Sequence, residues 1–562
     1  MPHDHAPGSS TSELEWWRSA VIYQVYLRSF ADGNGDGIGD LAGLRQRLPY
    51  LADLGVDALW LNPWYPSPMA DGGYDVADYR DIAPEFGTLD EADELIAEAH
   101  HHGLRIIIDV VPNHTSSEHA WFREAIAGGP ECAARQRYIF RPGSGPEGSL
   151  PPNNWRSVFG GPAWTRIIEP DGSPGDWYLH LFAPEQPDLN WESSVVHAEF
   201  ESVLRFWFER GIDGVRIDVA HGLIKDPSLP DLNHTDAELL GSAAHPGHPH
   251  WDQEGVHGIF RSWRRIADSY DTPKLFVAEA WTRTPQRLAR YVRPDELHTA
   301  FNFDYLTAPW RAPHLRRAID SSITAMSAVN APTTWVLSNH DVVRHLSRYG
   351  CVQPEDDLGP LSVAQGAGPL DLTLGTQRAR AAALLTLALP GGAYIYQGEE
   401  LGLWEVDDLP DDMLQDPTWA RSGFTQRGRD GCRVPLPWSG DAAPFGYSPR
   451  DAYAQPWLPQ PAAWKTLTQQ VQGEDDASVL ALYRQALRIR SGHPALGDGT
   501  LQWDSSSSQE VLSFARHPGF RCVVNFSASP IPLPSHRKVI LSSSPLTPDG
   551  QLAGDTAVWL AG

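Results

Sequence analysis

Gly214-Val215-Arg216-Ile217-Asp218 is the stretch on which the fold of this 562-residue chain turns. Successive side chains of a β-strand point to opposite faces, so Arg216 and Asp218 share one face while Val215 and Ile217 share the other. A helix is expected before it over residues 195–209. After it come a long loop, a helix over 260–270 and a second strand over 275–279. Strand and helix alternate, as a parallel α/β fold requires.

Toward the N-terminus the same rhythm places strands at 21–26, 58–61 and 105–111, the last a β-branched run of the kind covered on both faces. Leu44, Leu48, Leu51 and Leu54 form one helix face between them, and Leu89, Ala92, Leu95, Ile96 and Ala99 form another. Thr88 with Glu91 three residues on is a capping box that starts the second helix, and His100 to His102 followed by Gly103 ends it. Toward the C-terminus, strands at 300–302, 335–337 and 393–396 bring the number to eight, which predicts an α/β fold of the TIM (β/α)8 barrel type. From 113 to 190, Pro, Gly, Trp and Asn break the rhythm, so a small domain is inserted after the third strand. Beyond 496 helical periodicity stops, and 511–516 and 522–526 flank His517-Pro518-Gly519 as a hairpin. The expected division is 1–112 with 191–495 for the barrel, 113–190 for the insertion and 496–562 for a C-terminal antiparallel β-sandwich. Loops over 220–253 and 342–372 are too long for mere connections, and at the C-terminal ends of barrel strands such loops build a site.

Composition narrows the function. Acidic residues number 71 against 44 basic, a net charge of −27, which argues against a sequence-independent grip on nucleic acid or anionic lipid. Cys132, Cys351, Cys432 and Cys522 lack metal-ligand spacing and read as reduced thiols of a cytoplasmic protein. Residues 1–12 carry no apolar stretch, and the best apolar run, 381–389, is about half of what a bilayer needs, so no membrane association is expected. The 22 Trp and 17 Tyr exceed what a core of this size requires, and aromatic faces suit the C–H-rich faces of sugar rings.

Three carboxylates end three of the expected strands. Asp218 shares its face with Arg216, whose positive charge is expected to keep it ionised. Glu279 lies in Phe276-Val277-Ala278-Glu279-Ala280-Trp281, where desolvation disfavours the charged form and suits a general acid. Asp341 follows His340 in Leu337-Ser338-Asn339-His340-Asp341. Cleaving an acetal with retention needs one carboxylate to attack the anomeric carbon and another, about 5 Å away, to protonate the departing oxygen. A third carboxylate would grip ring hydroxyls more strongly in the transition state.

These segments resemble the α-amylase superfamily of glycoside hydrolases, family 13, and especially its oligo-1,6-glucosidase and bacterial α-glucosidase branch. The resemblance runs through 20–30, 72–79, 109–114, 186–191, 214–220, 277–281, 338–341, 396–400 and 428–435, in the family's order. It implies a nucleophile at Asp218, an acid/base at Glu279 and a transition-state stabiliser at Asp341. It also implies that Asp75, His114, Arg216, His340 and Arg429 hold the glucose unit that is cleaved off, with Phe159, Phe182 and Gln186 lining the pocket. Asp109 resembles the family's buried structural aspartate. Val219 matches isomaltose-type enzymes, whereas Gly428-Arg429-Asp430-Gly431-Cys432-Arg433 resembles α-glucosidases that prefer α-1,4 linkages. The implied partner is a small α-glucoside, taken by a monomer or homodimer. A transglucosylase or isomerase using the same carboxylates is the alternative.

A second motif, 32–40, places oxygen donors Asp32, Asn34, Asp36 and Asp40 at positions 1, 3, 5 and 9 of an EF-hand-like loop, with Gly37 at 6 and the Ile38 carbonyl at 7. Gly43 stands where the bidentate glutamate would be, so no calcium switch is expected. The family resemblance implies a structural Ca²⁺ or Mg²⁺ there, remote from catalysis. The histidines within 245–257 lack a stable spacing and are expected at the surface or the substrate rim.

Overall fold

β-branched and aromatic runs form the inner ring of the molecule. The strands are β1 (Val21–Val25), β2 (Ala58–Leu61) and β3 (Arg105–Val110), then, beyond an inserted segment, β7 (Gly214–Ile217), β8 (Leu275–Ala278), β9 (Thr299–Ala300), β10 (Thr334–Val336) and β11 (Gly392–Tyr396). They pair in parallel in the order β10-β11-β1-β2-β3-β7-β8-β9. The seam between β9 and β10 is bridged by the Thr334 hydroxyl, which donates to the Ala300 carbonyl. The computed structural model describes residues 15–232, 248–353, 369–505 and 507–562. Parts of both long loops, 233–247 and 354–368, lie outside the described residues, as does the 1–12 stretch.

Period-2 alternation sorts the strand side chains into two layers. Ile22, Trp60, Ile107, Val277, Val336 and Tyr394 pack inside the ring. Val215, Ile217, Leu59, Leu61 and Ile395 face outward into a larger apolar layer shared with the helices. The helix Leu41–Leu54 buries Leu44, Leu48, Leu51 and Leu54, the face expected from its spacing. The helix Leu89–His101 starts with both halves of the Thr88–Glu91 capping box in place.

Between β3 and β7 the chain forms a three-stranded antiparallel sheet of β4 (Phe140–Arg141), β5 (Trp164–Ile168) and β6 (Pro174–Leu179), with β6 central. It is tied to the barrel by Trp191 Nε1–H donating to the Pro112 carbonyl at 2.8 Å and by Lys225 Nζ paired with Asp188 at 2.7 Å. The C-terminal unit is one five-stranded antiparallel sheet of β12 (Gln502–Trp503), β13 (Val511–Arg516), β14 (Phe520–Asn525), β15 (Lys538–Ser542) and β16 (Thr556–Ala561). One face packs on the helix Leu372–Ala388, where Trp559 Nε1–H donates to the Leu384 carbonyl at 3.0 Å. Loop residues Ile531, Leu533 and Leu546 cover an apolar cluster of Val523, Leu552, Val558 and Leu560. The antiparallel sheet is as expected, but among the described residues there is no second sheet to make a sandwich, and loops cover that face instead. No helix among the described residues is long and apolar enough to cross a membrane.

Candidate active site

Strand register brings the carboxylates together. In the ladder β3-β7-β8, Asp109 lies opposite Arg216 and Arg216 opposite Val277. Ladder hydrogen bonds run one residue past the strands: Asp218 N–H donates to the Val110 carbonyl and Glu279 N–H to the Ile217 carbonyl, each at 3.0 Å. Asp218 and Glu279 therefore leave adjacent strand ends on the same side. One guanidinium spans them, with Arg216 Nη1 at 2.6 Å from Asp218 Oδ1 and Nη2 at 3.0 Å from Glu279 Oε2. Asp109, fully buried, accepts from Trp60 Nε1 at 2.9 Å and the Tyr74 hydroxyl at 2.7 Å and stands 3.4 Å from Arg216, so it positions the arginine from below. The rings of Trp60 and Tyr74 lie 5.3 and 5.7 Å from the same guanidinium.

The electrostatics differ from the sequence expectation in two ways. Burial pushes the Asp218 carboxyl well above its ordinary 3.8; Arg216 opposes this, while the like charges of Glu279, Asp109 and Asp341 add to it. Arg216 alone does not outweigh burial. The apolar setting expected for Glu279 is broken by two donors, Arg216 and the Val219 N–H, the latter at 2.9 Å. Val219 has φ +45°, and this left-handed turn after Asp218 delivers its N–H to Glu279.

Asp341 arrives from the loop after β10, its N–H fixed to Asn339 Oδ1 at 2.9 Å. Its carboxylate takes Arg429 Nη1 at 2.9 Å and Arg433 Nη2 at 3.1 Å. Burial raises it, but neighbouring positive charge wins and holds it well below the usual carboxylate range. That charge comes from His340, Arg429, Arg433 and Arg216; burial pushes His340 itself far below its ordinary value, so the arginines are the permanent part of it. Gln24 Nε2–H donates to His340 Nδ1 at 2.8 Å, leaving the proton on Nε2, 3.2 Å from Asp341. Tyr74 stacks on the His340 ring at 5.3 Å and 8°.

A cavity of about 720 Å³ opens over these groups, lined by Asp218, Glu279, Asp341, His114, Phe159, Phe182 and Arg429, all expected at the site. Four other expected residues stand behind this wall. Arg216 and His340 are buried beneath the carboxylates. Gln186, also buried, donates to Asp71 Oδ2 at 3.1 Å and approaches His114 Nε2 at 3.0 Å. Asp75 is the correction: it is fully buried, and its carboxylate accepts the Ser67 hydroxyl at 2.8 Å and the N–H groups of Ala70 and Asp71 at 3.0 and 3.1 Å. It shapes the loop that carries Asp71, and Asp71 faces the cavity instead, held by Arg429 Nη2 at 2.6 Å. The glycines Gly72 and Gly73, at φ +58° and +103°, reverse the chain between the two aspartates.

Sequence reasoning also missed Asp416. Its buried side chain takes Arg429 Nε, which aims the two Nη groups at Asp341 and Asp71. Gly428, at φ +73°, passes so close that a Cβ there would meet Asp416 Cγ at 2.5 Å. The histidine expectation is corrected too. His248, His250 and His257 are buried, His250 against Trp155 at 4.4 Å and His257 against Glu296 at 2.7 Å, whereas His245 lies outside the described residues. Tyr394 and Tyr396 are core.

In the 32–40 loop, Asp32 accepts from Asn34, Gly35 and Gly37 N–H, and Asp40 from Gly33, Asn34 and Gly43 N–H. Asp36 accepts from Ile38 N–H. Among the described residues no three acidic, histidine or cysteine side chains converge enough to hold a metal by themselves, so an ion would also need the Asn34 carboxamide and the Ile38 carbonyl. The chemistry fits a hard cation: two buried aspartates lie together, and Asp40 is pushed up to about 6, by burial first and with Asp32 adding to it.

A parallel barrel whose strand ends present a guanidinium-bridged carboxylate pair, with a third carboxylate across the same pocket, defines a glycoside hydrolase. Residues 24–499 match the family described as alpha amylase, catalytic domain. The chain is 37% identical to a probable alpha-glucosidase of Rhizobium meliloti (strain 1021), over 92% of this chain and 90% of that protein. It is 33% identical to an oligo-1,6-glucosidase of Parageobacillus thermoglucosidasius, over 92% and 91%. Among solved structures, an alpha-glucosyl transfer enzyme, XgtA, superposes with a TM-score of 0.83 at 35% identity, over 97% of this chain and 99% of that one. The chain belongs to the alpha-amylase family.

Proposed function

We propose that the protein is a retaining, exo-acting α-glucosidase that hydrolyses short α-glucosides of the maltose, isomaltose and sucrose type. The observation that carries this is the single Arg216 guanidinium bridging Asp218 and Glu279 at the floor of a pocket. In the first step Asp218 attacks the anomeric carbon while Glu279 gives a proton to the departing oxygen, leaving a glucosyl ester on Asp218. In the second, Glu279 takes a proton from water, which displaces Asp218 and restores the α configuration. Asp341, Asp71 and Arg429 form one charged arc that would grip ring hydroxyls, and neutral His114, pushed down to about 4 by burial, offers a further partner. Phe159 and Phe182, 5.9 Å apart, would cover an apolar face of the sugar.

The test is product analysis with maltose, isomaltose, sucrose and trehalose as separate substrates, the anomer of released glucose being read by NMR within the first turnovers. Release of β-glucose, or cleavage from the interior of longer chains only, would sink the reading. Glucosyl transfer is the second reading, favoured by the aromatic wall of Trp281 and Phe303, stacked at 3.8 Å beside Glu279, where an acceptor could exclude water. Oligosaccharides larger than the substrate would then appear early.

The domain limits of 1–112 with 191–495, 113–190 and 496–562 are part of this proposal, as is a cytoplasmic setting that keeps all four cysteines reduced. So is a structural Ca²⁺ or Mg²⁺ held by Asp32, Asn34, Asp36, the Ile38 carbonyl and Asp40, which would neutralise the loop's charge and brace the start of the helix Leu41–Leu54. Chelation is expected to lower Tm, with re-addition of Ca²⁺ restoring it, while initial rates at 25 °C hardly change. A Tm indifferent to both treatments would remove the ion.

A further inference from the structure

Just outside the cavity the chain holds an aromatic pair that the proposed reaction does not use. Phe424 is 63% exposed and belongs to none of the apolar clusters of the described residues. It nevertheless sits at φ +64°, directly after Gly423 at φ +67°. A bulky L-residue disfavours that left-handed region, and strain at a ring left mostly in solvent points to a functional position. The turn that imposes it is well tied. Phe424 N–H donates to the Trp419 carbonyl at 2.9 Å, and the Ser422 hydroxyl accepts from Thr425 and Gln426 N–H at 3.3 and 3.0 Å. The Phe424 and Trp419 rings meet edge to face, with centroids 5.5 Å apart.

This pair is continuous with the pocket. Thr418, Arg421, Ser422, Thr425, Gln426 and Arg427, its immediate neighbours in the chain, all line the cavity. Arg427 lies over the Trp419 ring at 5.8 Å while bonded to Asp411 at 2.7 Å, so the tryptophan backs a lining residue. An exposed ring can cover the C–H face of a pyranose and leave its hydroxyls to water and to neighbouring polar groups such as Gln426 and Thr425.

We propose that Trp419 and Phe424 form a platform at the pocket rim for a glucose unit of the substrate that lies beyond the two flanking the cleaved bond. The chemical class of ligand is an α-linked glucose trisaccharide or longer chain. This rests on the α-glucosidase reading.

The experiment compares kcat/KM for maltose with maltotriose, and isomaltose with isomaltotriose, in the wild type, Phe424→Ala and Phe424→Gly. Each variant is expected to lose about 5-fold on the trisaccharide, the scale of one aromatic contact, while keeping its disaccharide rates. Phe424→Gly relieves the positive φ and is expected to raise Tm while losing the same preference, a combination that a purely structural ring would not give. Equal losses on di- and trisaccharides, or none on either, overturn the platform alone. A variant whose sedimentation shifts to a smaller species assigns the ring to a contact between copies and also overturns it. A wild type inactive on both disaccharides defeats the glucosidase reading and the platform with it.

Discussion

Asp218→Asn is expected to abolish turnover of every α-glucoside, because an amide cannot form the glucosyl ester that the first step requires. Glu279→Gln should lose a different part of the cycle. Its cost is about 10²- to 10⁴-fold on natural sugars, the range of general acid–base catalysis. With a leaving group that departs without a proton, such as fluoride, the first step of Glu279→Gln should survive, and a glucosyl-enzyme should accumulate because water is no longer activated. Mass spectrometry of the quenched variant would then find one hexose on Asp218. Neither change should unfold the protein, since the Asn carbonyl oxygen can still accept from Arg216 and the Gln carbonyl oxygen from the Val219 N–H. Circular dichroism checks that. Near-normal rates in either variant, or a hexose found on Glu279, would exchange or remove the assigned roles.

How far the sequence could lead depended on where each residue sits. Asp218 and Glu279 were legible because regular strands fix direction: alternation sorts Arg216 and Asp218 inward, and register between neighbouring strands does the rest. Asp341, in the loop after β10, was legible only from its motif, Ser338-Asn339-His340-Asp341. The barrel was legible for the same reason, each apolar run matching a strand to within a residue or two. Loops carry no such period. Asp71 and Asp75 are four residues apart in one loop, and only the path through Gly72 and Gly73 decides which carboxylate meets the cavity. Asp416 was invisible because its partner, Arg429, is thirteen residues away through an irregular segment. Gln186 and His340 bear on the site, but from a buried layer behind it that a linear motif cannot separate from the wall. The histidines at 248–257 misled because Pro and Gly around them suggest exposure, whereas Trp155 of the inserted segment and the neighbouring Trp251 cover His250.

Replacing Arg216 is expected to damage stability and chemistry together, and its pH signature separates the two. Arg216 is the cation shared by Asp109, Asp218 and Glu279 at the barrel centre. Arg216→Met leaves three carboxylates around an apolar side chain, and breaking a buried pair in this way costs about 3–5 kcal/mol, read as a lower denaturation midpoint. Arg216→Lys keeps a positive charge but offers a single ammonium where the guanidinium presented two parallel donors, so it cannot hold both catalytic carboxylates in register. A displacement of about 1 Å there is worth about 10²-fold in rate. The sign of the pH effect follows from Asp218. It must be ionised to attack, burial already raises it above 3.8, and Arg216 is the charge that opposes the rise. The acid limb of kcat/KM in the wild type should therefore lie above the ordinary carboxylate value, and in Arg216→Met it should move to higher pH still, with Arg216→Lys between the two. A profile whose acid limb stays in place in both variants, whatever the loss in rate, would mean that Arg216 braces the fold without tuning the nucleophile.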